Sequence, residues 1–190
     1  LEGEEAATLP HGVETIGYLA IDSGSGTWGS LAWEAMTTAV RFDETTKTLT
    51  FQQDFNQAPR FLSSLASYAD ADPAGLRYDD LTGTAVQLTV EEETTADSEI
   101  AHGLEAVSYL AVGGSGLLPA TRVVGLTLGE TGAIVDLDHQ PRTILLQESY
   151  NDPVVLAQPA SSNGADPVIV RVSDVQPDRF TVYLQEPSNL

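Results

Sequence analysis

Apolar and polar positions in this chain alternate over short runs, with no sustained helical spacing. Val86–Val90, Val168–Val172 and Phe180–Leu184 alternate or run apolar over about five residues, as half-buried strands do. Thr48–Phe51 and Thr143–Leu146 are β-branched or apolar runs followed by polar turns. Asp174-Val175-Gln176-Pro177-Asp178 separates two of the runs, and its Pro and Asp predict a tight turn and hence a hairpin. Pro59, Pro73, Pro153 and Pro167 fall at predicted strand starts, where a missing N–H does least harm. Leu31–Val40 also fits a short helix, but its counterpart Ala120–Leu128 reads as strand, so both are taken as extended. The pattern predicts an all-β chain of antiparallel sandwich architecture.

An internal repeat orders these elements. His11-Gly12-Val13-Glu14-Thr15-Ile16-Gly17-Tyr18-Leu19-Ala20-Ile21 recurs 91 positions later as His102-Gly103-Leu104-Glu105-Ala106-Val107-Ser108-Tyr109-Leu110-Ala111-Val112. Asp72-Pro73 and Arg77 recur 94 positions later as Asp166-Pro167 and Arg171, and the same offset carries Val86–Val90 onto Phe180–Leu184. Phe55 matches Tyr150 and Pro59 matches Pro153. Matches in the same order at nearly one offset mark a tandem duplication.

The order of motifs carries a resemblance. An apolar strand leads to Asn151-Asp152-Pro153-Val154-Val155-Leu156-Ala157-Gln158 and then Asn163-Gly164-Ala165-Asp166-Pro167. Val170-Arg171-Val172, Asp174-Val175, Phe180-Thr181-Val182 and Leu184-Gln185-Glu186 follow, and His102–Val112 closes the other copy. This resembles the H-type lectin domain, and more closely the lectin-like repeats of large secreted bacterial proteins. The resemblance covers nearly the whole chain twice. It implies two tandem antiparallel β-sandwiches of about six strands each, and in the true lectins of the family binding of galactose-type sugars. The family's fourth-strand Arg is matched by Arg77 and Arg171. Its Trp-His pair falls on Pro187-Ser188 and Glu93-Thr94, which supply neither an aromatic face nor an imidazole.

In repeat coordinates, residues 1–22 read as the closing strand of a preceding or second repeat, and 23–112 as the first complete repeat. Residues 113–190 read as a second repeat lacking its last strand. The chain opens without Met or a basic-apolar leader and reads as a piece of something longer. An unpaired sheet edge is prone to aggregation, so the second repeat needs a strand. Val13, Ile16, Tyr18, Leu19 and Ile21 are the expected assembly strand. It either folds back onto its own chain or inserts into the next molecule; the latter is donor-strand complementation, which grows a filament.

Charge narrows the functions. The chain's 190 residues include 28 acids and 8 bases, a net −20, with Lys47 the single lysine. Such a surface repels phosphate backbones and anionic lipid, which argues against nucleic-acid and membrane partners. It resembles the surface usage of marine or halophilic secreted proteins. The 42% hydrophobic content supports a packed core, while the apolar stretches are far shorter than the ~20 residues that span a bilayer. With no Cys there are no disulfides, thiolate zinc sites or iron–sulfur clusters.

Candidate chemistry is sparse. Gly24-Ser25-Gly26-Thr27-Trp28-Gly29 fits G-x-G-x-x-G, but it lies opposite Gly113–Gly116 in the repeat and reads as a connector. His11 and His102 each stand three residues before an acid, Glu14 or Glu105. Asp70, Asp72, Asn163 and Asp166 sit in the same loop of the two copies and are candidate ligands for Ca²⁺, which takes six to eight oxygens. An Asx turn before Pro explains the same loops without an ion. Arg77 and Arg171 are expected to pair with Glu92 and Glu186, with sugar contact as the alternative. Trp28 and Trp33 either pack or stack on a sugar ring. No nucleophile–base–orienter set exists in the sequence, so no enzyme is expected. The leading reading is a structural or adhesive repeat module, extracellular or at the cell surface, whose partners are copies of itself or adjacent repeats. The competing reading is a carbohydrate-binding module, calcium-assisted, with glycans as partners.

Overall fold

The computed structural model describes residues 18–120, 125–164 and 168–186, and every regular element among them is a strand. In order these are β1 (Gly24–Trp28), β2 (Leu31–Thr37), β3 (Lys47–Thr50), β4 (Arg60–Leu65), β5 (Ala74–Asp79), β6 (Ala85–Glu92) and β7 (Val107–Val112). The second half continues with β8 (Gly116–Pro119), β9 (Thr127–Thr131), β10 (Arg142–Leu145), β11 (Ile169–Gln176) and β12 (Arg179–Gln185). All pairings are antiparallel.

In the first half, a β1-β2-β7-β4 sheet and a β3-β6-β5 sheet share one core. Leu49, Tyr78, Val86, Leu88 and Val90 come from one sheet, and Phe61, Val107, Tyr109 and Ala111 from the other. Phe42, Phe51 and Phe55 fill in from connecting segments. The rings of Phe51, Phe55, Phe61, Tyr78 and Tyr109 meet at centroid separations of 5.2 to 6.0 Å, in mostly tilted or edge-on geometry that suits their quadrupoles. β7 comes last in this half, yet it lies between β2 and β4, with Tyr109 opposite both Met36 and Ser63.

The second half repeats part of this plan. Its β10-β12-β11 sheet has the strand order of β3-β6-β5. Arg171 pairs with Tyr183 as Arg77 pairs with Thr89, each partner 94 positions on. Asp80 and Asp174 hold the same left-handed backbone, φ 45° in both. β8 and β9 pair as β1 and β2 do, but as a sheet of two. The counterpart of β4, from Pro153 to Pro159, forms no strand. Among the described residues of this half only Phe180 and Val182 are buried hydrophobics, whereas Leu128, Leu145, Val154, Leu156 and Ile169 are exposed.

The structure departs from the sequence reading in several places. Gly24–Trp28 is a strand and not a connector, because paired backbone replaces the missing side-chain contribution; glycine is required by backbone conformation at Gly24, φ 148°, where the strand opens, and at the turn at Gly29, φ 61°. Gly116 likewise opens β8. The first half carries seven strands and the described second half five, where about six each are expected. Val13 and Ile16 lie outside the described residues. Tyr18, Leu19 and Ile21 are described and belong to no strand.

Side-chain hydrogen bonds tie the halves together at three places among the described residues. At one of them Arg60 donates to Ser115 Oγ through Nε at 3.1 Å and Nη2 at 2.9 Å. Gln158 accepts the Ser63 N–H at 2.7 Å and donates its amide to the Ser63 hydroxyl at 2.9 Å. Arg77 Nη2 donates to Ser162 Oγ and the Gly164 carbonyl, both at 3.0 Å.

Candidate functional site

The alternation that builds the core also buries two carboxylates at one end of it. Every second residue of β6 points inward, so Val86, Leu88 and Val90 are followed on the same face by Glu92. Glu105 stands two residues before inward-facing Val107 and is fixed by a backbone bridge to Phe42. Glu92 and Glu105 are 4% and 2% exposed, so each requires a compensating partner.

His102 supplies it to both. Its Nδ1 lies 2.9 Å from Glu92 Oε1 and its Nε2 3.3 Å from Glu105 Oε1. Only the imidazolium donates from both nitrogens at once. Burial pulls the imidazole down, but the two carboxylate bonds outweigh burial and hold its pKa above the ordinary value. Burial pushes Glu105 up, yet the Ser67 hydroxyl, the Ala69 N–H and His102 together bring it below the usual carboxylate range. For Glu92 burial prevails over the His102 bond, with Glu99 and Asp72 adding repulsion, and the carboxyl sits above its ordinary value.

The loop carrying Asp70 and Asp72 closes over this pair. Glu105 Oε1 accepts the Ala69 N–H at 2.7 Å, and the Ser67 hydroxyl donates to Glu105 Oε2. Asp70 accepts the Ala71 N–H at 2.7 Å and the Gly103 N–H at 3.2 Å, which hold its carboxyl below the usual range. A β-carbon at Gly103 would sit 3.0 Å from the Ala69 carbonyl oxygen, so glycine permits this approach. Ligand atoms of Asp70, Glu92 and His102 lie within 4.8 Å of one another, as do those of Asp72, Glu92 and Glu99. Glu92 Oε2 is buried and has no hydrogen-bond partner.

The residues singled out in sequence fare differently. Asp70 and Asp72 come to this cluster, but Asn163 is exposed and bonds Ser161 Oγ at 3.2 Å, and Asp166 lies outside the described residues. Glu92 faces His102 and not Arg77, because successive β6 side chains point to opposite faces; Arg77 Nη1 meets Glu91 Oε2 at 3.4 Å instead. Arg77 is buried, whereas Arg171 is exposed on β11. Trp28 and Trp33 stack on each other at 5.1 Å and 17°, on the β1–β2 hairpin. His11 lies outside the described residues and His139 is exposed. Sequence reasoning missed Glu34, which is 1% exposed on β2 and accepts the Tyr109 hydroxyl and the Gln53 N–H, the latter at 2.6 Å. Nothing in the local pattern marks that carboxylate as buried.

A second feature is the incomplete packing of the second half. In the first half β7 joins β2 to β4. Among the described strands β9 pairs with β8 alone, and the apolar Val154 and Leu156 are exposed. Tyr18, the sequence match of Tyr109, is 87% exposed where Tyr109 is 6%. No helix among the described residues is long and apolar enough to cross a membrane.

No family model matches the chain, and no solved structure matches it. The chain is similar to Halomucin of Haloquadratum walsbyi (strain DSM 16790 / HBSQ001), 32% identical over 127 residues. The match covers 67% of this chain and 1% of Halomucin, so the similarity is to a small part of a far larger protein.

Proposed function

We propose that this chain is a non-enzymatic, extracellular module of a large surface protein, and that residues 11–21 of a neighbouring copy complete its second repeat as a donated strand. The similarity to Halomucin, whose name is that of a mucin, and the net charge of −20 support the first part. One observation carries the second. Tyr18 is 87% exposed although its sequence match Tyr109 is a core residue of a central strand.

The rest of the second repeat fits this reading. Its β9 pairs with β8 as β2 pairs with β1, and the Pro153–Pro159 segment matches β4 in sequence; β2 and β4 are the two partners of β7. Glu130 stands in β9 opposite Leu117 as Glu34 stands in β2 opposite Ser25. A donated strand in the β7 register therefore brings Tyr18 toward Glu130, as Tyr109 meets Glu34. Burying Val154, Leu156 and Leu128 would stabilise the contact at roughly 25 cal/mol per Å² of apolar surface.

Light scattering across a concentration series tests this. The full chain should grow in mass with concentration, and Tyr18→Asp in the full chain should remain at monomer mass. A synthetic peptide spanning residues 9–22 should bind the Tyr18→Asp chain and raise its melting temperature. A parent chain that stays monomeric at every concentration and ignores the peptide overturns the assembly.

A further inference from the structure

We propose that Asp72, Glu92 and Glu99, flanked by Asp70, bind one calcium ion that braces the closing loops of the first repeat. Two independent features carry this. The first is the convergence of ligand atoms of Asp72, Glu92 and Glu99 within 4.8 Å of one another. Two oxygens on one Ca²⁺, each ~2.3–2.6 Å from it, stand at most about 5 Å apart. The second is Glu92 Oε2, a buried carboxylate oxygen without a hydrogen-bond partner on a residue 4% exposed. A buried, unpaired carboxylate oxygen costs free energy unless something satisfies it.

The imidazolium of His102 does not remove that demand. It reaches Glu92 through Oε1, and its other nitrogen is taken by Glu105. Both imidazole nitrogens are therefore engaged with carboxylates, which leaves none for a soft or borderline metal such as zinc. What remains is a hard, all-oxygen set contributed by three separate segments: the 70–72 loop, the end of β6 and the loop at Glu99. Calcium tolerates such irregular geometry, whereas Mg²⁺ demands a near-ideal octahedron. An ion there ties the end of β6 to both loops that cover His102.

Calorimetric titration of the full chain with CaCl₂ at constant, high NaCl tests the proposal. One saturable site should appear, and Ca²⁺ should raise the melting temperature where an equal ionic-strength increment of NaCl does not. Glu99→Gln, at an exposed position, and Asp72→Asn should each weaken the site by about tenfold or more. Glu148→Gln, at an exposed position in the second half, should bind as the parent does. The absence of a saturable site overturns the proposal. So do Glu99→Gln and Asp72→Asn chains that titrate like the parent, or binding of ZnCl₂ that is tighter than calcium and is lost in His102→Gln alone.

Discussion

Asp80 and Asp174 stand 94 positions apart and adopt the same left-handed backbone, φ 45° in each. The conformation costs an ordinary L-residue roughly 1–2 kcal/mol, and Asp tolerates it by bonding locally. Asp80 accepts the Gln87 amide at 2.9 Å, and Asp174 accepts the Gln176 amide at 3.0 Å. The two copies thus turn out of β5 and through the β11 bulge by the same backbone device.

That device predicts a pair of outcomes. Asp80→Val should destabilise the chain by about 1–2 kcal/mol in urea unfolding, since a β-branched residue is strained at positive φ. Asp80→Gly should cost about 0.5 kcal/mol or less, because glycine adopts the conformation freely. Equal losses in the two variants would assign the effect to the side-chain bond and not to the backbone.

A pH dependence follows from His102 and its two glutamates, measured with a chelator present. A raised imidazole pKa stabilises fully below its ordinary 6.5, and the gain is lost as pH climbs through the raised value. The raised carboxyl of Glu92 acts in the same sense, favouring the folded state at lower pH. Glu105, lowered from 4.5, stabilises above that value and loses its effect as pH falls through the depressed one. Asp70 faces the same ring and is lowered as well, so it acts in the sense of Glu105. Denaturant unfolding should show stability declining above about pH 6.5, and His102→Gln should flatten that decline. A parent curve level from neutral to mildly alkaline pH would contradict the pairing.

The Tyr109–Glu34 contact makes a separate prediction. Burial and the carboxylate beside it drive the Tyr109 hydroxyl well above its ordinary pKa, so it remains a donor throughout the accessible pH range. Tyr109→Phe leaves a buried carboxylate short of a donor and should cost about 1.5–3 kcal/mol. Tyr109→Phe with Glu34→Gln should recover part of that loss, which a double-mutant cycle reads directly.

The two halves should respond unequally to core damage. Leu88→Ala removes a fully buried side chain and should cost about 2–5 kcal/mol. Val154→Ser, at a side chain 77% exposed, should change dilute-chain stability by about 0.5 kcal/mol or less. It should nonetheless reduce the concentration-dependent mass, because the same residue lies in the segment proposed to receive the donated strand.

Much of the fold is legible in the chain. β6, β11 and β12 follow from short alternating or apolar runs, β3 and β10 from β-branched or apolar runs before polar turns, and the β11–β12 hairpin from Pro177-Asp178. β1 escapes that logic because Gly24, Ser25 and Gly26 carry little strand propensity, and β8 because it is a four-residue run opened by Gly116 and closed by Pro119; their pairing with β2 and β9 decides them. At the site, the His102–Glu105 spacing is readable because both lie in one short segment. Glu92 and Glu34 are not, since a charge at a strand end or mid-strand ordinarily faces water, and only the three-dimensional position of His102 or Tyr109 reverses that.

The place of β7 in its sheet bears on how such a chain is made. It is the last strand of its repeat to leave the ribosome, yet β2 and β4 pair with it from either side and not with each other. Until those six residues emerge, the earlier strands of that sheet remain two separate pieces, and the aromatic cluster of Phe51, Phe61 and Tyr109 lacks one of its rings. Closure of the first half's core is therefore deferred until residues 107–112 have been made, although most of the side chains that pack against them come earlier in the chain.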